Sequence, residues 1–116
     1  MSKSIRDRLI AARESWIQAG GFEFKVRRPT EMQTLAWRAL DRDQVAESMI
    51  KTCVVGWRGV RECDLASGES DDEAVFDALT FAAWIEDRPD LWEPITGAVL
   101  ASIESARSRR EASEKN

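Results

Sequence analysis

Residues 22–27 alternate apolar and charged side chains and follow directly after the pair Gly20-Gly21. Alternation with a period of two is typical of a β-strand with one buried face and one solvated face. A single strand is unstable on its own, so it requires a partner strand from elsewhere in the chain or from another copy. Any fold proposed for this sequence has to supply that partner.

The rest of the sequence has helical periodicity. Apolar residues three and four positions apart over residues 3–19 predict an N-terminal helix. Gly20-Gly21 is predicted to end this helix, because glycine readily takes the left-handed conformation at a helix C-terminus. The complete prediction adds a strand over 22–28, helices over about 30–40, 43–55, 77–87 and 90–112, and a disordered tail over 113–116.

Capping and proline signals set several of these boundaries. Thr30 and Gln33 have the spacing of a capping box, which predicts the start of a helix at that point. Pro89 should end the preceding helix, since the residue before a proline is disfavoured in the helical conformation. Residues 53–57 either end the 43–55 helix or begin a short strand, and periodicity alone does not decide between the two.

Each predicted helix carries an apolar stripe that we expect to face the core. With 116 residues the chain is long enough for one domain. Residues 1–112 therefore predict a mainly α, single-domain fold of four to five helices with one short β-strand or hairpin. The inward stripes are Met32, Leu35, Ala36, Ala39 and Leu40 in the second helix, Leu79, Ala82, Ala83 and Trp84 in the 77–87 helix, and Leu91, Ile95, Val99, Ile103 and Ala106 in the last.

The composition argues against an enzyme. The chain has no histidine, which removes the commonest general base and the commonest metal ligand. Its two cysteines, Cys53 and Cys63, cannot supply the four ligands of a structural zinc site. We therefore expect no catalytic residues, no cofactor and no metal. No signal peptide and no apolar run near ~20 residues is visible, which predicts a cytoplasmic chain with two free thiols and no membrane contact.

Charge is divided unevenly along the chain. Residues 1–61 hold twelve basic and seven acidic side chains, a net charge of +5. Residues 62–116 hold five basic and fourteen acidic side chains, a net charge of −9. Either the two halves neutralise each other within one fold, or the positive face of one copy docks on the negative face of the next. The overall charge of −4 gives little support to nucleic-acid binding, which we do not expect.

Tryptophan is the residue type that most favours a binding function, because it is enriched at the energetic centres of protein interfaces. Trp16 and Trp84 lie on predicted apolar stripes and are assigned to the core. Trp37 lies off its stripe and Trp92 follows a stripe residue, so both are candidates to face a partner. Trp57 lies between two glycines, where packing and partner contact are equally plausible. The predicted partner-binding residues are Trp37, Trp57, Trp92, Phe22 and Phe24.

Three segments together resemble a known family. They are the extended FEFKVRRP over 22–29, the sequence VVGWRGV over 54–60, and EDRPDLWEPI over 86–95. In this order and spacing, over about residues 22–105, the chain resembles the small tail assembly chaperones of long-tailed bacteriophages, which are encoded next to the tape-measure gene.

The resemblance implies an α-rich, non-catalytic scaffolding protein. It would coat the long, helical and apolar tape-measure protein with many weak contacts and help to recruit tail tube subunits. The implied partners are the tape-measure protein, the tail tube protein and further copies of this chain. The implied location is the cytoplasm of the bacterial host, with no copy in the mature virion. The alternative is a small prophage regulatory or nucleic-acid-associated protein that uses the positive N-terminal half.

Overall fold

A three-stranded antiparallel sheet organises the structure, a computed structural model that describes residues 4–115. Its strands are β1 (Glu14–Ala19), β2 (Phe22–Arg27) and β3 (Val54–Arg58), in the order β1-β2-β3. The fold is therefore α+β, and the predicted mainly α fold with a single strand or hairpin is wrong. The helices are α1 (Ile5–Ala11), α2 (Glu31–Trp37), α3 (Arg42–Cys53), α4 (Glu62–Leu65), α5 (Ala78–Ile85) and α6 (Pro89–Lys115).

The main correction concerns the helix predicted over residues 3–19. Helix α1 ends at Ala11, and β1 follows as the first strand of a hairpin. Gly20 and Gly21 have φ angles of 58° and 83°, so both lie in the left-handed region that a two-residue type I′ turn requires. The glycine pair turns the chain between two strands and does not end a helix.

Strand β2 obtains partners on both of its edges from within the chain. Ile17 of β1 lies opposite Phe24, and Trp57 of β3 lies opposite the same residue on the other side. The pairing of β2 with β3 shifts its register by one residue between Lys25 and Val26. The ambiguous run over 53–57 is also settled, because α3 ends at Cys53 and a strand begins at the next residue.

The core lies between one face of this sheet and helices α3, α5 and α6. The α6 stripe is confirmed for Leu91, Ile95 and Val99, which are fully buried, whereas Ile103 and Ala106 are half-buried. Trp57 donates a hydrogen bond from its indole nitrogen to the Ala74 carbonyl oxygen at 2.8 Å. Aromatic rings pack on one another around it, most of them edge to face, with centroids 5.1–6.3 Å apart: Phe22, Phe24, Trp57, Phe76, Phe81 and Trp84.

Helix α2 begins where predicted, but it packs on the core with a different face. Thr30 and Gln33 form the predicted capping box. Met32 and Leu35 of the predicted inward stripe are 80% and 59% exposed, however, whereas Trp37 is half-buried against the core. A helix of two turns can bury only one face, and the large apolar surface of the indole outweighs the smaller side chains.

Helix α5 shows the same competition. Leu79, predicted to face inward, is 82% exposed. Phe81 and Ile85, four positions apart, are buried in its place. The helix faces the core with its phenylalanine, which joins the aromatic cluster.

Helix α6 continues well past the core. It remains helical to Lys115, through most of the tail predicted to be disordered over 113–116; Asn116 lies outside the described residues. Near the distal part of the helix, Arg107 and Arg110 lie 3.4 and 3.7 Å from the carboxylate of Glu31 on α2. The Cα radius of gyration is 15.8 Å, above the ~13 Å of a compact chain of this length, because α6 extends beyond the sheet.

Candidate protein-binding site

A groove of about 350 Å³ opens between α3 and the junction of α5 with α6. Its size is at the lower end of the range for ligand pockets, enough for one or two side chains. The lining combines apolar and charged residues: Asp43, Ala46, Glu47, Ile50, Lys51, Ile85, Glu86 and Trp92.

Trp92 forms a fixed aromatic wall of the groove. Its side chain is half-exposed, and its indole nitrogen donates a hydrogen bond to the Ile85 carbonyl oxygen at 2.6 Å. Ile50 and Ile85, both almost fully buried, contribute the apolar floor. A ring held by a hydrogen bond loses little freedom when a partner packs on it, which favours binding.

The rim of the groove is acidic. Lys51 places its ammonium 2.6 Å from the Glu86 carboxylate and 3.0 Å from that of Glu47. These two hydrogen bonds raise the pKa of Lys51 above its ordinary value, the bond to Glu86 being the larger cause. With Asp43, the rim has three carboxylates and one ammonium, a net charge of −2. The groove is thus suited to an apolar side chain flanked by positive charge.

A short connection fixes the position of Trp92. Arg88, between α5 and α6, donates two hydrogen bonds to the Asp90 carboxylate, at 3.0 and 2.9 Å. These bonds lower the pKa of Asp90. The same guanidinium lies over the rings of Trp84 and Phe22, 5.2 and 5.6 Å from their centroids. The connection is therefore held to the aromatic cluster, and the first turn of α6 with it.

Of the predicted partner-binding residues, only Trp92 lines this groove. Phe24 is fully buried and Trp57 is 7% exposed, so we assign both to packing. Phe22 is half-buried within the aromatic cluster, and Trp37 is half-buried against the core. The structure does not bring the five side chains together on one surface.

Sequence reasoning missed the groove residues of α3 and α5. Asp43, Glu47 and Lys51 are spaced four apart on α3, which places them on one helix face and was readable from the sequence. Ile85 and Glu86 carry no such signal, because they join the groove only through the packing of α5 against α3.

The outer face of the sheet presents a second exposed tryptophan. Trp16, predicted to lie in the core, is 38% exposed because it belongs to a strand and points away from the helices. The Arg58 guanidinium lies 3.8 Å from its ring centroid and 2.8 Å from Glu23. Arg27 on this face lies 2.7 Å from Glu14. Carboxylates thus neutralise most of the positive charge of this face.

The described part of the chain, residues 4–115, shows neither a candidate metal site nor a helix that could span a membrane. No three His, Cys, Asp or Glu side chains in that range are grouped so that they could hold a metal ion. No helix in it is both long enough and apolar enough to cross a membrane. No protein-family model, curated protein or solved structure matches the chain.

Proposed function

We propose that this chain is a non-catalytic assembly chaperone that covers apolar helical segments of a partner protein. Specifically, the chain is a tail assembly chaperone of a long-tailed bacteriophage. It coats the tape-measure protein and helps to recruit tail tube subunits. The supporting observation is the acid-rimmed apolar groove with the fixed Trp92 ring as its wall.

The dimensions of the groove suit repeated weak binding. A volume of about 350 Å³ accepts one or two side chains of a helix and not the helix itself. A single contact of this size is weak, but many copies bound along one long polymer gain affinity from avidity. Weak individual contacts also allow each copy to leave when a tube subunit arrives.

The rim charge defines the chemistry of the bound segment. A net charge of −2 around an apolar floor favours a helix with an aliphatic side chain next to lysine or arginine. The rim carboxylates are exposed, so the attraction acts within about one Debye length, ~8 Å at physiological salt. Binding should therefore weaken as salt is added, although the apolar contact remains.

The proposed place of action is the cytoplasm of the bacterial host, before the tail is complete. Both cysteines are free, Cys53 within the core and Cys63 half-buried, which suits a reducing compartment. The chaperone leaves as the tube forms, so the mature virion contains no copy.

The alternative, a prophage regulatory or nucleic-acid-associated protein, has less support. Binding to phosphates needs cations that are free to displace counterions. On the outer sheet face Arg27 and Arg58 already lie next to carboxylates. Titration against duplex DNA at low and high salt separates the two functions, because salt-sensitive binding below 1 μM, about −8 kcal/mol, would favour the alternative.

The test is co-expression of the full chain with the tape-measure protein that, on this proposal, a neighbouring gene encodes. Trp92→Ala removes the wall of the groove, and Trp16→Ala is the matched control, since the two side chains are 41% and 38% exposed. We expect wild type and Trp16→Ala to keep the tape-measure protein soluble and to co-purify with it. Trp92→Ala should recover at least tenfold less, as truncation of a central interface tryptophan commonly costs ~2 kcal/mol or more.

Thermal unfolding of each variant provides the folding control. Equal losses of tape-measure protein for the two tryptophan variants would show that the groove is not the binding site. A tape-measure protein that stays insoluble beside the wild-type chain would refute the proposed function.

A further inference from the structure

Helix α1 has an apolar face that the described chain leaves mostly exposed. None of its seven residues is buried. Ile5 and Leu9 are 65% and 67% exposed, and their spacing of four places them side by side on one face. Two exposed aliphatic side chains in this arrangement match the kind of segment that the groove is suited to accept.

The charge around this apolar face is positive. Helix α1 contains Arg6 and Arg8 against the single acid Asp7, a net charge of +1. Within the part of the chain that the structure describes, no salt bridge involves Arg6 or Arg8. The helix therefore offers free positive charge beside apolar surface, and the groove rim has a net charge of −2.

The two features lie at opposite ends of β1. Helix α1 leads into β1 at Glu14, where the Arg28 amide donates to the Arg13 carbonyl oxygen at 2.8 Å. The other end of β1 reaches the turn at Gly20, which lies against the Leu91 side chain, one residue before the Trp92 wall. Six strand residues separate these ends by about 20 Å. In the described part of the chain α1 forms no hydrogen bond or salt bridge with a groove residue of its own copy, so its apolar face is open to the groove of another copy.

We propose that α1 of one copy docks in the groove of a second copy, with Ile5 and Leu9 against Trp92 and with Arg6 and Arg8 beside the rim carboxylates. The contact joins two different surfaces, so it leaves a free groove at one end and a free α1 at the other. Such contacts build rings or open chains of subunits and not closed two-fold dimers.

This inference rests on the proposed function, because it makes α1 a competitor of the tape-measure segment for one groove. Copies without a partner occupy each other's grooves and shield their apolar surfaces. A partner segment that binds through many grooves at once displaces α1 by avidity. Self-association therefore regulates the same site that carries the chaperone activity.

The test uses two full-length variants that each lose one side of the contact. Leu9→Asp places a carboxylate in the apolar face of α1, next to the acidic rim. Ala46→Arg fills the groove and reduces the net charge of its rim from −2 to −1. Leu100→Asp is the matched control, because Leu100 is 53% exposed on α6 and does not line the groove. Circular dichroism checks folding, and Trp92→Ala replaces Ala46→Arg if that variant does not fold.

Light scattering after size exclusion, at up to about 1 mM chain, gives the readout. Wild type and Leu100→Asp should associate with increasing concentration. Leu9→Asp and Ala46→Arg should each stay monomeric, and their mixture should form a 1:1 heterodimer, because one intact α1 then meets one intact groove. Added salt should weaken that heterodimer.

Several results would overturn the inference: a monomeric wild type, self-association that survives in either variant, or a mixture that remains monomeric. Co-expression of Leu9→Asp with the tape-measure protein separates this outcome from the proposed function. If Leu9→Asp captures the tape-measure protein but forms no heterodimer with Ala46→Arg, only the self-docking fails. If the heterodimer forms and no capture occurs, only the proposed chaperone function fails.

Discussion

Replacement of Gly20 by alanine tests whether the β1–β2 turn lies against the first turn of α6. A Cβ atom at Gly20 would lie 2.5 Å from Leu91 Cδ2, a contact too short to exist without movement. The Leu91 side chain is fully buried, so movement of its methyl group away from the new Cβ would press on the side chains packed around it. Gly21 is the matched control, since nothing lies within 4 Å of a Cβ built there.

Both substitutions share one cost and differ in the other. Alanine in the left-handed region costs about 1–2 kcal/mol at either position. Gly20→Ala adds the cost of overpacking against Leu91, about 1–3 kcal/mol. Alanine also reduces the conformational entropy of the unfolded chain. This stabilising contribution is about the same at the two positions, so it cancels in the difference. We therefore expect Gly20→Ala to be less stable than Gly21→Ala by about 1–3 kcal/mol, or roughly 4 °C per kcal/mol in melting temperature.

Urea unfolding followed by tryptophan fluorescence measures both free energies. A third variant sharpens the assay. Leu91→Ala alone should cost about 2–5 kcal/mol, but it removes the atom that a Cβ at residue 20 would contact. In that background Gly20→Ala should cost no more than Gly21→Ala. Equal losses for the two glycine variants in the wild-type background would refute the placement of the turn on α6.

Three further predictions concern single side chains. Trp57→Phe leaves the buried Ala74 carbonyl oxygen without its indole donor, so the free energy of unfolding should fall by about 1–3 kcal/mol in urea titration. Burial raises the pKa of Cys53 to about 11, so its thiolate fraction at pH 8 is about one in a thousand, and a thiol-specific reagent should modify Cys63 first and Cys53 only in denaturant. Arg107 of α6 donates a hydrogen bond to Glu31, and this bond lowers the pKa of the Glu31 carboxyl from its ordinary 4.5. Glu31→Gln should therefore lower the urea midpoint at pH 7, and the gap to wild type should close as the pH falls through the folded-state pKa.

Each of these predictions has a contrary result. An unchanged stability of Trp57→Phe would mean that the indole hydrogen bond contributes nothing. Equal reaction rates of Cys53 and Cys63 in native buffer would contradict the burial of Cys53. The carboxylate of Glu31 contributes stability that is complete above its unfolded pKa, so a gap that widens on acidification would contradict the contact with α6.

Local signals were sufficient where one element decides its own structure. The capping box at Thr30 and Gln33 needs only residues three apart, and it forms as predicted. The stripe of Leu91, Ile95 and Val99 belongs to a helix of 27 residues. Apolar residues recur on the same face over several turns, so that face is the one that can be buried. In both cases the sequence determines the result without help from distant segments.

The hairpin shows where a local signal was ambiguous. Between Glu14 and Ala19, apolar residues fit a helical period as well as a strand period over so short a length. Gly20-Gly21 can end a helix or form a two-residue turn between strands. The decisive fact was the unpaired strand at 22–27, whose nearest available partner is the segment just before the glycines. Taken together, an alternating strand and a preceding Gly-Gly favour the hairpin.

The two short helices α2 and α5 show what no local count can give. Each has about two turns, and each carries apolar residues on more than one face. Trp37 and Phe81 face the core, whereas Met32, Leu35 and Leu79 remain exposed. The choice depends on which face meets the sheet, and the packing of the larger aromatic side chains decides it.

The groove depends both on residue spacing within one helix and on the packing of distant elements. Its acidic edge follows from Asp43, Glu47 and Lys51, which share one face of α3 by their spacing alone. Its apolar floor and aromatic wall come from Ile85 and Trp92, which reach α3 only because the connection between α5 and α6 is fixed on the aromatic cluster. A change in that connection that keeps Glu86 should therefore alter the aromatic wall of the proposed binding surface without altering its rim charge, so the shape of the wall and the salt dependence can be changed separately.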